Sequence, residues 1–536
     1  MQIKRLQKQQ LLNLTLNVLI VILCLAPAVY VGFLGLERPY DAVPDQDLLW
    51  VSEALRIARG VSPSYADHPG AFWTIVFRIN IKLLRVFSGI AVVDFRERIT
   101  PEGVNVLIKL SRIQNSLVVG ISGYLLFLAS LKLGINKMFS ASIGIIFSFS
   151  TGVLLAVGQI RHEIPSLNFL ILSFLAFAFA SAAKLRNERL RLVLVLLAIV
   201  LFFASAYSKS QILLLAPLYF LGLLVVSWNR LRGVCENALL SDSGLGNYRS
   251  FLNCIFIAFS FWALGSFPGL KPLNAFAWVF INMGLAFFAS LGVHRPLTVK
   301  SFYRSLLLVG FIEILLFRCL LPHWWTTGVA RFPLWLSQYG APLKSAPDNL
   351  LSLFGTGVSF YVSNFSDWQF VGIASFVALV VASSILIILS LCRLPFISAY
   401  LGPLALAVSW LYIGLLMCAM SFRLADRYQI YILAPLLLTA VFSINRLMRF
   451  DGNLVDRVGK LVFSLPAALI VSLALHKSVL NIGQLHAFAS ASQPRDVLCI
   501  GHHMDKTMIL TSAGSCSNFQ DAALDKQRFD FWSGPF

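Results

Sequence analysis

The chain has 536 residues and a formal net charge of +19, yet 58% of it is hydrophobic and only 12% is charged. A water-soluble protein carries about a quarter charged residues, so this composition excludes a soluble globular fold. With mean hydropathy +0.78, it also turns the basic excess away from nucleic acid and towards membrane topology. Alternating apolar and polar strands of the outer-membrane barrel kind are absent.

The expected fold is therefore an all-α polytopic membrane protein, built from apolar runs of roughly 20 residues that each cross about 30 Å of hydrocarbon. The basic start MQIKRLQKQQ leads into an apolar run too long for a signal peptide and without a small-residue cleavage site, which reads as a retained first span. Hydropathy gives about 13 spans, at roughly 11–35, 111–131, 138–157, 164–183, 191–207, 211–228, 250–268, 273–293, 304–321, 369–391, 395–420, 428–445 and 460–478. Lys4, Arg5 and Lys8 place the N-terminus in the cytoplasm by the positive-inside rule. The basic loops around Lys132 and Lys137, Lys184 to Arg191, Arg230 and Arg232, Arg295 to Arg304, and Arg446 to Lys460 then fall on that same side. The external face receives the first loop (36–110), the turns 158–163, 207–211 and 421–428, an aromatic loop at 322–368 and the tail from 479. Three modules follow: a transmembrane module at 1–245 carrying the first loop, a second at 246–478 carrying loop 322–368, and a small external subdomain at 479–536. With no recognisable retention signal, a bacterial plasma membrane is the expected location.

The first loop holds the stretch PDQDLLWVSEALRIARGVSPSYADHPG, residues 44–70. Leu48, Val51, Leu55 and Ala58 recur at helical spacing, which predicts a helix lying in the membrane interface, ended by Gly60 and Pro63. A second interfacial helix is predicted over about 70–88, with Phe72, Ile75 and Val76 apolar and Arg78, Lys82 and Arg85 reaching the headgroups. Asp45 and Asp47 precede the first of these helices. Such an acid either caps the helix by accepting from its first amides or acts as a general base towards an acceptor. One of the two is expected to cap.

Further along, Arg161-His162-Glu163 sits at an external span mouth, either as a snorkelling cluster or as an anion-binding group facing the first loop. Lys209 is a lone external cation between apolar helices, placed either as an anchor or to meet a phosphate. Arg423, Asp426, Arg427 and Tyr428 open a late span, where an arginine can clamp a phosphate. Glu313 and Arg318 lie in or near the outer half of another span, a costly place for ionisable groups, and are read as paired with other helices. In the tail, DVLCI (496–500) reads as a short strand, and His502 and His503 without partners are a weak metal signal. Cys499 and Cys516 fall on the oxidising side, where a disulfide between them is expected. No Walker A loop, GxGxxG turn, zincin motif or CxxC pair is present, so nucleotide-driven transport and hydride chemistry have no support.

In order and position these features resemble the GT-C glycosyltransferases that use polyprenyl-phosphate-linked sugars, with the branch of protein O-mannosyltransferases and lipid A aminoarabinose transferases nearest in pattern. The acidic motif of that branch corresponds to Pro44-Asp45-Gln46-Asp47, and its Tyr-x-x-x-Pro-Pro-like segment to Tyr65-Ala66-Asp67-His68-Pro69-Gly70. Its arginine-plus-acid turn corresponds to Arg161-His162-Glu163. Its Thr-Lys-Gly-Pro segment corresponds to Ser208-Lys209-Ser210-Gln211 with Pro217, and its Arg-Tyr segment to Arg427-Tyr428 with Pro435. Gln46 stands where the family has a second acid, Gly70 where it has a second proline, and Ser210-Gln211 where it has Gly-Pro.

The resemblance implies a lipid-phosphate sugar donor entering from the bilayer and transfer to a lipid, glycan or protein acceptor with inversion at the anomeric carbon. It assigns Asp45 as the base. It gives donor-phosphate binding to Lys209 and Arg427, and positioning of sugar or acceptor to Asp47, His68 and Glu163. The Asp-x-Asp spacing admits a divalent metal, but the resemblance is to a metal-independent type and implies no cofactor. Two other readings of the same residues are a transporter or flippase for a lipid-linked glycan and an O-antigen-type polymerase or ligase with its site in loop 322–368.

Overall fold

The computed structural model describes residues 2–36, 50, 51, 54, 70–88, 101–150, 153–154, 156–157, 160–181, 187–239, 272–293, 299–316, 409, 412–413, 429–449, 499–503 and 506–510. Ten helices occur among them: α1 (Gln2–Gly35), α2 (Ala71–Ser88), α3 (Pro101–Lys132), α4 (Lys137–Phe149), α5 (Glu163–Ala180), α6 (Glu188–Ser208), α7 (Ala216–Leu239), α8 (Pro272–Val293), α9 (Val299–Ile314) and α10 (Gln429–Arg449). A 3₁₀ turn, Ser210–Leu215, joins α6 to α7. Among the described residues four helical stretches are long and apolar enough to cross a membrane: Gln10–Gly35, Glu102–Lys132, Glu163–Ala180 and Glu188–Ser208. The protein is a helical membrane protein. The expected spans at 250–268, 369–391 and 460–478 lie outside the described residues, as does nearly all of 395–420.

The tail contributes an antiparallel hairpin, β1 (Cys499–His503) on β2 (Lys506–Leu510), with Cys499 opposite Leu510 and His503 opposite Lys506. The short strand expected at 496–500 is thus described from Cys499 onward and takes in both histidines.

The chain forms two compact units, one of Met1–Phe127, Ala141–Pro165 and Leu469–Phe536, the other of Leu128–Ser140 and Ser166–Ala468. In the first, α1, α3 and α4 meet through small residues. A side chain at Gly120 would lie 2.8 Å from Leu25, and one at Gly144 would lie 3.3 Å from Phe127 and strike the Gly123 carbonyl. Close backbone approach of this kind is how helices associate in lipid, where apolar burial between them gains little.

Helix α3 begins ten residues earlier than the expected span, where Val104, Leu107 and Ile108 pack into the core of the first unit, and its polar residues further along are satisfied within the protein. The buried Arg112 guanidinium donates to the carbonyls of Gly35 (2.9 Å) and Leu36 (3.2 Å), completing the C-terminus of α1 where the first loop begins. A cation at a helix C-terminus also meets the negative end of its dipole. One turn on, Asn115 donates to the carbonyls of Ala156 (2.8 Å) and Val157 (3.0 Å). Helix α4 ends at Phe149, shorter than the expected 138–157, and the chain turns through Ser150, whose hydroxyl donates to the Phe147 carbonyl at 2.8 Å.

In the second unit, polar groups pair across helices. Ser166 and Ser205 each donate to the other's carbonyl, at 3.1 and 2.7 Å. Ser173 bonds the Ala198 carbonyl at 2.6 Å and the Tyr219 hydroxyl at 2.7 Å. Around them Phe202, Phe220 and Phe288 pack in series, with the last two rings stacked 5.9 Å apart at 6°. The turn from α3 to α4 carries Gly134 at φ 79. Gly134 N–H bonds the Leu131 carbonyl and Ile135 N–H the Ser130 carbonyl, each at 3.0 Å, the paired closure that a left-handed glycine gives a helix end. Asn136 then caps α4 by accepting from Met138 N–H at 2.8 Å. The Asn445 side chain on α10 holds this turn from outside, accepting from Asn136 N–H and donating to the Gly134 carbonyl, both at 3.3 Å.

Candidate functional site

The site is built on α2 in the first unit. Its inward positions Trp73, Phe77 and Asn80 are buried, while Ile75, Ile79, Leu83, Val86 and Phe87 stand exposed beside Arg78, Lys82 and Arg85. The amphipathic helix that the sequence predicts over this segment is thus formed, with an exposed apolar stripe edged by cations. Hydrogen bonds from Trp73 and Asn80 fix its inner face, Asn80 Nδ2 donating to the Ser111 hydroxyl at 3.2 Å. Asn80 and Gln114 on α3 exchange amide bonds at 2.7 and 2.9 Å. The Trp73 indole N–H donates to the Arg161 carbonyl at 2.7 Å.

Helix α2 starts on Gly70, the last residue of the Asp67-His68-Pro69-Gly70 motif. Gly70 holds φ 54, a left-handed conformation that glycine adopts without cost. Its carbonyl accepts from Thr74 N–H (3.2 Å) and the Thr74 hydroxyl (3.0 Å). Space matters here as well as dihedral angle: a Cβ at residue 70 would strike the Trp50 indole and come within 2.8 Å of His162 Nε2.

Trp50, three residues beyond Asp47, is helical and buried, as are Val51 and Ala54. These three form one core with Trp73, Phe77, Val104, Leu107, Ile108 and Ile160. The Trp50 indole meets the His162 imidazole edge-on, with centroids 3.9 Å apart and planes at 79°. His162 and Glu163 are almost wholly buried, and Glu163 opens α5, where a carboxylate faces the positive end of the helix dipole. The structure therefore gathers three pieces that the sequence nominates separately: the helix after the acidic pair, the glycine ending the second motif, and the Arg161-His162-Glu163 turn.

Of the other expected site residues, Lys209 belongs to the second unit. It is buried and closes α6, its N–H donating to the Ser205 carbonyl at 3.1 Å, while its own carbonyl accepts from Ile212 N–H at 3.1 Å. Asp45, Asp47, His68, Arg423, Arg427 and Tyr428 lie outside the described residues, as does Cys516, the expected partner of Cys499. Among the described residues no group of three or more His, Cys, Asp or Glu side chains could hold a metal ion.

Trp50, Trp73 and Arg112 are not among the residues that the sequence singles out. The signal for the two tryptophans was available, since each is a large amphipathic ring inside a polar loop. Their apolar neighbours made them read as ordinary interfacial residues.

Comparison with protein-family models gives no match, and comparison with curated proteins gives none. Among solved structures, the chain is similar to the Archaeoglobus fulgidus oligosaccharyltransferase in its apo form, at 10% identity and a TM-score of 0.43. The similarity covers 89% of this chain and 56% of that one, so the chain spans little more than half the length of that protein.

Proposed function

We propose that this protein is a membrane glycosyltransferase of the GT-C type, moving a sugar from a polyprenyl-phosphate donor to an acceptor at the external membrane face. The observation that carries the reading is the packing of Trp50 and Gly70 on His162. It binds the flanks of the acidic loop, 44–70, to the Arg161-His162-Glu163 turn, and these are two of the segments in which the sequence resembles that superfamily. Asp45 serves as the base that takes the proton from the acceptor nucleophile, and Asp47 caps the helix or positions the acceptor. Lys209 and Arg427 bind the donor phosphate and stabilise it as it leaves. With an acceptor oxygen attacking the anomeric carbon and the lipid phosphate departing from the opposite face, the product is inverted.

A bundle of about 13 spans, long enough each to cross the bilayer, belongs to the same proposal, with the N-terminus cytoplasmic in a bacterial inner membrane. The test is transfer in vitro from polyprenyl-phosphate sugars, comparing wild type with Asp45→Asn and Asp47→Asn. Loss of about 10²-fold or more in Asp45→Asn is expected for a general base. Full activity in both variants would sink the mechanism and favour the polymerase or ligase reading, in which loop 322–368 carries the chemistry.

A further inference from the structure

Tyr207 near the end of α6, Asn282 in α8 and Glu313 at the end of α9 lie in three helices of the second unit that pack on one another. They are 2%, 2% and 7% exposed. The Asn282 amide lies beside the Glu313 carboxyl, and the Tyr207 phenol is within electrostatic reach of the same carboxyl. Even so, Glu313 Oε2 and both Asn282 Oδ1 and Nδ2 make no hydrogen bond.

Leaving such groups unmade is costly at any buried position, and more so for a carboxyl at membrane depth. Helix packing does not require them. The α8–α9 seam already has the Ser290 and Ser301 hydroxyls joined at 2.9 Å, and Gly284 on α8 makes room for the Phe220 ring. Glu313 does face a polar side chain of another helix, Asn282 of α8, as the sequence leads one to expect, but its Oε2 makes no hydrogen bond.

We infer that Asn282 and Glu313, with the Tyr207 phenol within electrostatic reach, form a subsite for adjacent hydroxyls of a sugar. The inference rests on the glycosyl-transfer reading for the source of that sugar. The chemistry of the open groups selects the ligand class. Two acceptors and one amide donor match neighbouring hydroxyls, which both donate and accept. A metal ion or ammonium group would satisfy Glu313 but offer nothing to accept from Asn282 Nδ2, and an ionised phosphate brings no donor for the two open acceptors. Lys209, the proposed phosphate-binding residue, follows Tyr207 by two positions at the same helix end. One end of α6 then serves both the sugar and the phosphate of a single donor.

The experiment uses full-length protein in lipid nanodiscs and reads thermal unfolding with bare polyprenyl phosphate, with polyprenyl-phosphate pentose, hexose and N-acetylhexosamine, and with the free methyl glycosides. Wild type should gain a sugar-dependent stabilisation beyond that of bare polyprenyl phosphate. Glu313→Gln and Asn282→Leu should bind that sugar about ten-fold more weakly, a free-energy loss of 1.4 kcal/mol, while their response to the bare lipid phosphate is retained. Without ligand, Asn282→Leu should unfold at or above the wild-type temperature, because it removes two unsatisfied polar atoms.

Stabilisation by methyl glycosides alone supports the subsite and assigns its ligand to free sugar. No sugar-dependent shift in wild type, or equal shifts in all three proteins, overturns the subsite and leaves a buried water as what satisfies these atoms. Sugar binding that depends on Glu313 without transfer to any acceptor sinks the glycosyltransferase reading and leaves the subsite standing. Transfer with unchanged sugar selectivity in Asn282→Leu does the reverse.

Discussion

The His162 imidazole is held edge-on against the Trp50 indole, 3.9 Å between centroids, and Gly70 is the residue that lets the two rings share that space. Its positive φ and the absence of a Cβ are both needed there. Gly70→Ala should therefore destabilise the protein by about 1–3 kcal/mol through backbone strain alone, before the overlap with Trp50 is added. Thermal unfolding of the purified protein measures this. A melting temperature equal to wild type would mean that the turn at residue 70 is not as described.

Trp73→Phe keeps the ring volume of α2 roughly in place but removes the N–H that satisfies the Arg161 carbonyl. The expected loss is about 1–3 kcal/mol, the cost of a partly buried acceptor left without its donor. If transfer is the activity, it should fall as well, because the same bond fixes the backbone next to His162. Retention of both stability and activity would show that Trp73 contributes only apolar surface.

Arg112→Met and Arg112→Lys should both lower stability, by about 1.5–3 kcal/mol for the loss of a charged donor. Lysine is expected to rescue only in part, since its flexible stem does not hold an ammonium group where the rigid guanidinium holds Nη1, which donates to the carbonyls of both Gly35 and Leu36. Chemical denaturation in detergent distinguishes the cases: a methionine variant as stable as wild type would refute the two-carbonyl role.

Lys209 closes α6 through its backbone N–H and carbonyl, so its side chain can be changed without opening the helix end. Lys209→Ala should keep the fold. It should raise the KM for a polyprenyl-phosphate sugar, with Lys209→Arg recovering part of the loss because a cation is restored. A fall in melting temperature with an unaltered KM would assign the lysine to structure.

Cys499 lies at the start of β1, opposite Leu510 in the hairpin. The proposed bond to Cys516 should appear as a disulfide-linked peptide pair on mass spectrometry of non-reduced digests from membranes. Recovery of both cysteines as free thiols from an oxidising compartment would contradict it.

The sequence carried the apolar helices and the amphipathic α2 because hydropathy and a 3.6-residue period report burial directly. It was less accurate at the ends of helices. The expected span starts ten residues after α3 does because Glu102, Asn105 and Lys109 read as the end of a polar loop, although Val104, Leu107 and Ile108 among them are buried in the core of the first unit. The end of α4 was set too far on because apolar Val153 and Leu154 continue the run after the helix has turned at Ser150. For the site, the sequence supplied the acidic loop and the Arg161-His162-Glu163 turn but not their meeting. Trp50 and His162 are far apart in the chain, and only the fold makes them neighbours. Glu313 was conspicuous as an acid in a span, whereas Asn282 was not, since one amide in an apolar helix gains meaning only beside a carboxyl.

The clasp of Asn445 on the α3–α4 turn has a consequence for biosynthesis. Its two hydrogen bonds bridge separations of 309 and 311 residues. At a synthesis rate of roughly 5–20 residues per second, about 15–60 seconds pass between emergence of Asn136 and emergence of the side chain that accepts from it. Throughout that interval the turn stands without its clasp while later helices are delivered to the bilayer. A nascent chain halted before α10 therefore carries an incomplete second unit, however well its earlier helices have inserted.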